Sequence, residues 1–171
     1  MSLDQHVQLQ AIRDELERIE EDCIHTGKAH FNAGSRWSYW HYWIGIPSIL
    51  LSSAAGAAFF KDMAEVGGGL SAAAAILTTL MTFLKPFERA TKHKGSGDQY
   101  LAIRNDSRVF RTVRLPLVCD LPAAIAGLDE LTNRRNELNR ASLAYSARDF
   151  EKARKGIASG ESLHRVDKGR R

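Results

Sequence analysis

The sequence predicts an all-α protein: a two-helix transmembrane hairpin joined to N- and C-terminal cytoplasmic helices that form a bundle, assembled as a homo-oligomer. Three observations lead there. The first is segregation of charge. The chain has 171 residues, 44 of them Asp, Glu, Lys or Arg, yet the 48 residues of 37–84 include only Lys61, Asp62 and Glu65, where an even spread would place about twelve. The second is length. Residues 37–60 and 66–84 are runs of 24 and 19 without a formal charge, and a helix crossing hydrocarbon needs about 20 apolar residues. The third is the three- and four-residue spacing of apolar side chains in the charged segments on either side, the period of an amphipathic helix. The averages, 44% hydrophobic and 26% charged, exclude a disordered chain, and two cysteines exclude a disulfide-held scaffold.

Residues 1–36 read as one helix. Leu9, Ile12, Leu16, Ile19 and Cys23 recur at heptad spacing. Asp14, Glu15, Glu17, Glu20, Glu21 and Asp22 flank them, and the segment carries a net charge of −3. So short a seam suits a bundle face better than a free coiled coil.

Residues 37–84 form the hairpin. Trp37, Tyr39, Trp40, Tyr42 and Trp43 belong in the headgroup layer, which narrows the first span to about 43–60, with Pro47 near its start, where a missing N–H is best tolerated. The second span, 66–84, opens on Gly67-Gly68-Gly69. The intervening 61–65 permits only a tight turn, so both termini share one side. Lys28, Arg36, Lys85, Arg89, Lys92 and Lys94 lie on that side, against Lys61 and two acids in the loop. The positive-inside rule then places both termini in the cytoplasm and the protein in the inner membrane. Cys23 and Cys119 are expected there as free thiols. A cleaved signal peptide does not fit, since 36 residues rich in charge precede the first apolar run. The rival reading is a hairpin buried in a soluble bundle, although neither span offers the polar face that a bundle helix needs.

Two patterns run through the spans. Ser71, Ala75, Thr78 and Thr82 share one helix face. Ser71, Thr78 and Thr82 would line a narrow pore in an oligomer, or simply bond their own backbone. Ser48, Ser52 and Gly56, and likewise Gly67, Ser71, Ala75 and Thr79, repeat every four residues. Such small-residue faces let helices pack closely, within one chain or between copies. No titratable side chain lies inside either span, which argues against an intramembrane proton relay.

Residues 85–149 return to helix. Lys85-Pro86 requires a break. Phe87 to His93 resume the helical pattern, Gly95-Ser96-Gly97 interrupts or weakens it, and Tyr100, Ile103, Ser107 and Phe110 continue it as far as Leu115-Pro116. Asp120 is placed to cap the next helix with Pro122 in its first turn. Leu121, Ala124, Leu128, Leu131 and Leu138 form its apolar stripe, and it extends to about Ala147. Residues 150–171 form a basic segment, a short helix over 149–157 followed by a loose tail. From Lys85 onward the net charge is +8, which suits pairing with the acidic first helix.

No Walker A loop, GxSxG, HExxH or CxxC occurs, so neither enzyme activity nor a cofactor is expected. Cys23, His25 and His30 come nearest to a metal set, but they do not share a helix face, and no metal is expected. The sequence pI of 9.2 is accounted for by juxtamembrane cations facing anionic headgroups, so a lipid bilayer and a signalling or sensor protein are the expected partners and nucleic acid is not.

The order of segments is informative with a few local strings. A helix precedes an aromatic-rich span, a very short loop follows, and the second span ends in Lys85-Pro86-Phe87-Glu88-Arg89-Ala90. His93, Tyr100, Ile103 and Arg104 come next, and Phe150-Glu151-Lys152-Ala153-Arg154-Lys155-Gly156-Ile157-Ala158-Ser159-Gly160 closes the pattern. This layout resembles the SLATT domain, a two-transmembrane effector module associated with nucleotide-signal systems in prokaryotes, with Pro86, Glu88, Arg89, His93 and Tyr100 as its motif positions. Gly67-Gly68-Gly69 and Gly95-Ser96-Gly97 depart from it. The resemblance implies a membrane effector in anti-phage or other conflict defence. A partner's nucleotide signal or a sensor would trigger it to permeabilise the inner membrane. A membrane-anchored helical scaffold without a pore, and a soluble helical interaction protein, are the alternatives.

Overall fold

A computed structural model of the chain describes residues 3–117 and 120–162. Cys119 and the basic tail beyond Ser162 lie outside them. Every regular element among the described residues is helical. Helix α1 runs unbroken over Leu3–Phe59, 57 residues, with Pro47 inside it. The proline, near the start of the expected 43–60 span, therefore stands in a helix interior and not in a first turn. It removes one hydrogen bond, to the Trp43 carbonyl, a loss that helices in apolar segments absorb.

The chain turns over four residues. Asp62 adopts a left-handed φ of 56°, and Phe60, Lys61, Asp62 and Met63 each donate an N–H back to the last turn of α1. Helix α2 spans Ala64–Leu84 and ends on Lys85 at φ 45°, ψ 53°. Pro86 disfavours the right-handed helical region for the residue before it, and the left-handed conformation is the resulting stop. Helix α3 begins at once and runs over Pro86–Val109. A π turn, Phe110–Arg114, and a 3-10 turn, Leu115–Leu117, follow.

Helix α4 covers Leu121–Ala141. Asp120 stands at its N-cap without making a side-chain cap bond, and Pro122 lies in the first turn. The helix stops at Ala141, short of the expected Ala147, because Ser142 is extended and Ser146 starts a new helix. Ser146 Oγ accepts from the Asp149 N–H and the Asp149 carboxylate accepts from the Ser146 N–H, a complete capping box. Helix α5 thus spans Ala147–Ala158, and the boundary drawn at 149/150 falls inside it.

The chain divides into two units. A bundle unit combines Met1–Ala33 with Lys92–Arg171, and a hairpin unit is Gly34–Thr91. Helix α1 contributes to both. In the bundle unit the heptad seam packs inward. Ile12 and Leu16 meet Leu115, Ala124 and Leu131, while Ile19 and Cys23 meet Tyr100, Ile103 and Leu138. The acidic flank of α1 meets basic side chains. Arg111 donates to both oxygens of Glu20 at 2.7 and 3.1 Å, and Arg135 reaches Asp22 at 3.1 Å.

Gly95-Ser96-Gly97 does not interrupt α3. A Cβ on Gly97 would stand 3.0–3.1 Å from the Phe31 ring, and one on Gly27 would stand 3.2 Å from Tyr100 Cβ and 3.3 Å from the Gly97 carbonyl. Glycine is there so that α1 and α3 can touch backbone to backbone, and that contact offsets its low helix propensity. Gly95 has open space around its Cα. Gly97→Val should therefore lower stability by about 1–3 kcal/mol through overpacking, whereas Gly95→Ala should raise it by up to about 1 kcal/mol. Thermal unfolding of the full chain in detergent, followed by circular dichroism, compares the two.

Candidate functional site

The hairpin unit presents its apolar side chains outward. Helices α1 and α2 each contain an 18-residue window of mean hydropathy 1.3 and 1.5, of which only 17% and 11% is buried. Tyr42, Trp43, Ile49, Leu50, Phe59, Ile76 and Phe83 are all exposed, Phe83 by 86%. A helical pair inside a soluble core would bury such residues. The apolar outward face fits a lipid solvent instead.

The two helices cross through small residues. Ser48 Oγ lies 2.9 Å from Thr78 Oγ1 and donates to the Ala74 carbonyl at 3.4 Å. A Cβ on Gly67 would stand 3.3 Å from the Ala55 carbonyl. Ser48 and Gly67 are thus the members of the small-residue repeats that hold the hairpin together. Ser52, Gly56, Ser71 and Ala75 line an open groove of about 650 Å³ along one flank, with Gly67 and Thr78 also on its wall. Of the polar stripe, Thr78 and Thr82 each donate to the carbonyl four residues back, at 2.9 and 3.0 Å. Ser71, Thr78 and Thr82 are exposed.

The motif positions sort into two groups. In the hairpin unit Pro86 is fully buried at the left-handed stop, and the Arg89 guanidinium lies 4.8 Å from the Trp37 ring centroid, with Arg36 at 5.4 Å on the same ring. Glu88 stands 3.9 Å from Lys85 in an exposed pair of little energetic weight. In the bundle unit His93 and Tyr100 are buried beside His30, which is not among the expected motif positions. His30 Nδ1 and His93 Nδ1 are 3.0 Å apart. The His30 ring also stacks on Tyr100 at 5.5 Å and meets the edge of Tyr145 at 5.1 Å. Tyr100 donates its hydroxyl to Asn139 at 2.5 Å. A signal for His30 existed, since Leu16, Cys23 and His30 continue one heptad position.

The Nδ1–Nδ1 contact needs one ring to donate and the other to accept, so both cannot be charged. Burial, with the neighbouring His93 adding to it, pulls the His30 imidazole down to about 4. Burial likewise pushes the Tyr100 phenol up, and the Cys23 thiol up to about 11. Cys23 is a free, buried cysteine, inert as a nucleophile. Among the described residues no three His, Cys, Asp or Glu side chains gather as metal ligands.

The sign of the His30 linkage is definite. Between about pH 6.5 and 4 the unfolded chain takes up a proton that the folded chain refuses. Stability should fall as pH drops through that window, by up to about 1.4 kcal/mol per pH unit, and His30→Gln should flatten the slope. Melting temperatures of the two proteins between pH 7.5 and 4.5 measure it.

Residues 7–168 match the family described as SMODS and SLOG-associating 2TM effector domain family 4. No curated protein and no solved structure matches the chain. The two long apolar helices agree with the two transmembrane segments in the family's description, and SLATT domains associate with SMODS and SLOG proteins. With the match covering nearly the whole sequence, the chain belongs to the SMODS and SLOG-associating 2TM effector domains, family 4.

Proposed function

We propose that this effector acts by permeabilising the inner membrane in anti-phage or related conflict defence. Several copies would assemble through their hairpins, and a partner protein or its nucleotide signal would trigger them. The observation that carries the reading is the flank of the hairpin unit. Its groove is lined by Ser52, Gly56, Ser71, Ala75 and Thr78 together with Gly67, Phe59 and Phe60; the small residues leave room for another helix, and the hydroxyls of Ser52, Ser71 and Thr78 supply a polar lining. Ser48 and Thr78 already meet within the chain, which leaves Ser52, Gly56, Ser71 and Ala75 for a second copy. Both termini face the cytoplasm, because Lys28, Arg36, Lys85, Arg89, Lys92 and Lys94 flank the spans while the turn holds Lys61 with Asp62 and Glu65.

A second reading has its own support. The hydroxyls of Thr78, Thr79 and Thr82 all bond carbonyls of their own helix, which is what they would also do in a plain membrane anchor. In that case the bundle unit alone would carry function as a scaffold, and an unrelated hairpin could replace 37–84 without loss.

Cells expressing the chain with its trigger should lose membrane potential, as read with a voltage-sensitive dye. Ser71→Leu combined with Thr82→Leu should return the signal to the level of empty cells at equal membrane abundance. Ser53→Ala, off the polar stripe and outside both small-residue repeats, should leave it unchanged. Retained potential under every triggering condition, or full activity of the hairpin replacement, refutes the pore. For topology, Lys61→Cys should react with a membrane-impermeant maleimide added outside intact inner-membrane vesicles only when the vesicles are right-side-out.

A further inference from the structure

We propose that the bundle unit contains a binding pocket for a small phosphorylated organic molecule, gripped by Lys28 and Arg104, with Glu161 as the anion the folded chain itself holds there. The pocket is formed by α1, α3 and the turn after α5, with a volume of about 460 Å³, inside the range of about 300–1,000 Å³ usual for small-molecule sites. It lies in the bundle unit and does not rest on the membrane reading.

Three features make it a shaped site. First, the carboxylate is delivered deliberately. Gly160 takes a left-handed φ of 88°, the Glu161 N–H donates to the Gly156 carbonyl at 3.1 Å, and the Glu161 carboxylate pairs with Lys28. A Cβ on Gly156 would stand 2.6 Å from both Lys28 Nζ and Glu161 Oε2, so glycine at that position makes the room the pair occupies. Second, charge is unbalanced. The lining carries two cations and one carboxylate, and Arg104 makes no ion pair among the described residues. Third, the walls are apolar: Ile24, Phe31 and Leu101 line the pocket, and the Phe31 ring is seated against Gly97, offering a fixed flat surface.

These features select the ligand. A phosphomonoester carries roughly −1.5 to −2 charge near neutrality and three acceptor oxygens. It meets both cations better than one carboxylate, and arginine favours it by its planar fork. An attached flat body would lie along Phe31. Glu161 is 60% exposed against 23% for Lys28, so the carboxylate is the partner that can leave. Ligand binding would detach the Gly160–Glu161 turn from α1.

AMP is the probe, with adenosine and inorganic phosphate as its two halves, titrated calorimetrically into the full chain in detergent. AMP should bind, and about tenfold or more weaker in Arg104→Gln, a partly exposed position without a described partner. Glu161→Gln should bind AMP several-fold tighter, because the internal competitor is gone, a change that loss of structure would not produce. Hydrogen exchange at the Glu161 amide should quicken with AMP bound. Absence of AMP binding in Glu161→Gln, equal affinity in Arg104→Gln, or inorganic phosphate binding as tightly as AMP overturns the proposal. Each of those results leaves the depolarisation assay, and the membrane reading, standing on its own.

Discussion

A helix satisfies its backbone N–H and C=O groups within its own segment, so it can pass from one solvent to another without exposing an unpaired polar group. Helix α1 uses that property over Leu3–Phe59. Its first half offers a seam of Ile12, Leu16, Ile19 and Cys23 to a water-facing bundle, and its second half turns Trp43, Ile49 and Leu50 outward. The remaining elements answer to this one. Helix α2 returns along the apolar half, and α3 returns along the seam. The left-handed Lys85 before Pro86 separates the two by a single residue, so no loop is spent where the chain leaves the apolar segment.

Close approach is achieved differently in the two units, for a solvent reason. Between α1 and α2 there is no water to expel, so contact relies on small residues and interhelical hydroxyls, which Gly67, Ser48 and Thr78 provide. Between α1 and α3 the driving force is apolar burial, and Gly27 with Gly97 lets Tyr100, Phe31 and the His30–His93 pair close over the contact. The same buried pair gives the bundle unit a dependence on pH that the hairpin unit, without titratable groups in its spans, does not share.

Much of the architecture is legible in particular residues. The heptad spacing from Leu9 to Cys23 identifies the buried face of α1, Lys85-Pro86 identifies the break, and the −3 and +8 net charges of the terminal segments anticipate Glu20–Arg111 and Asp22–Arg135. The misreadings have local causes. Gly95-Ser96-Gly97 looks like a helix breaker because propensity counts the cost of glycine and not the Phe31 ring that needs its absence of side chain. The apolar stripe of α4 carries the expected helix past Leu138 to Ala147, but the Ser146–Asp149 capping box starts a new helix there. His30 invites a metal reading beside Cys23 and His25, but its heptad position belongs to the core.

What the sequence determined by itself is what rests on one-dimensional quantities: charge segregation, apolar run length, helical period and the family to which the chain belongs. These fix two apolar helices flanked by charged ones, because solvent preference and helix period are properties of consecutive residues. Which residues meet is settled by the three-dimensional packing. Ser48 is consumed inside the hairpin while Ser52, Gly56 and Ala75 stay at an open groove, His30 faces His93, and Glu161 returns to Lys28 over Gly156. Each depends on distances between segments 26 to 133 residues apart in the chain, and no local pattern encodes the register at which two helices or a turn and a helix come to rest.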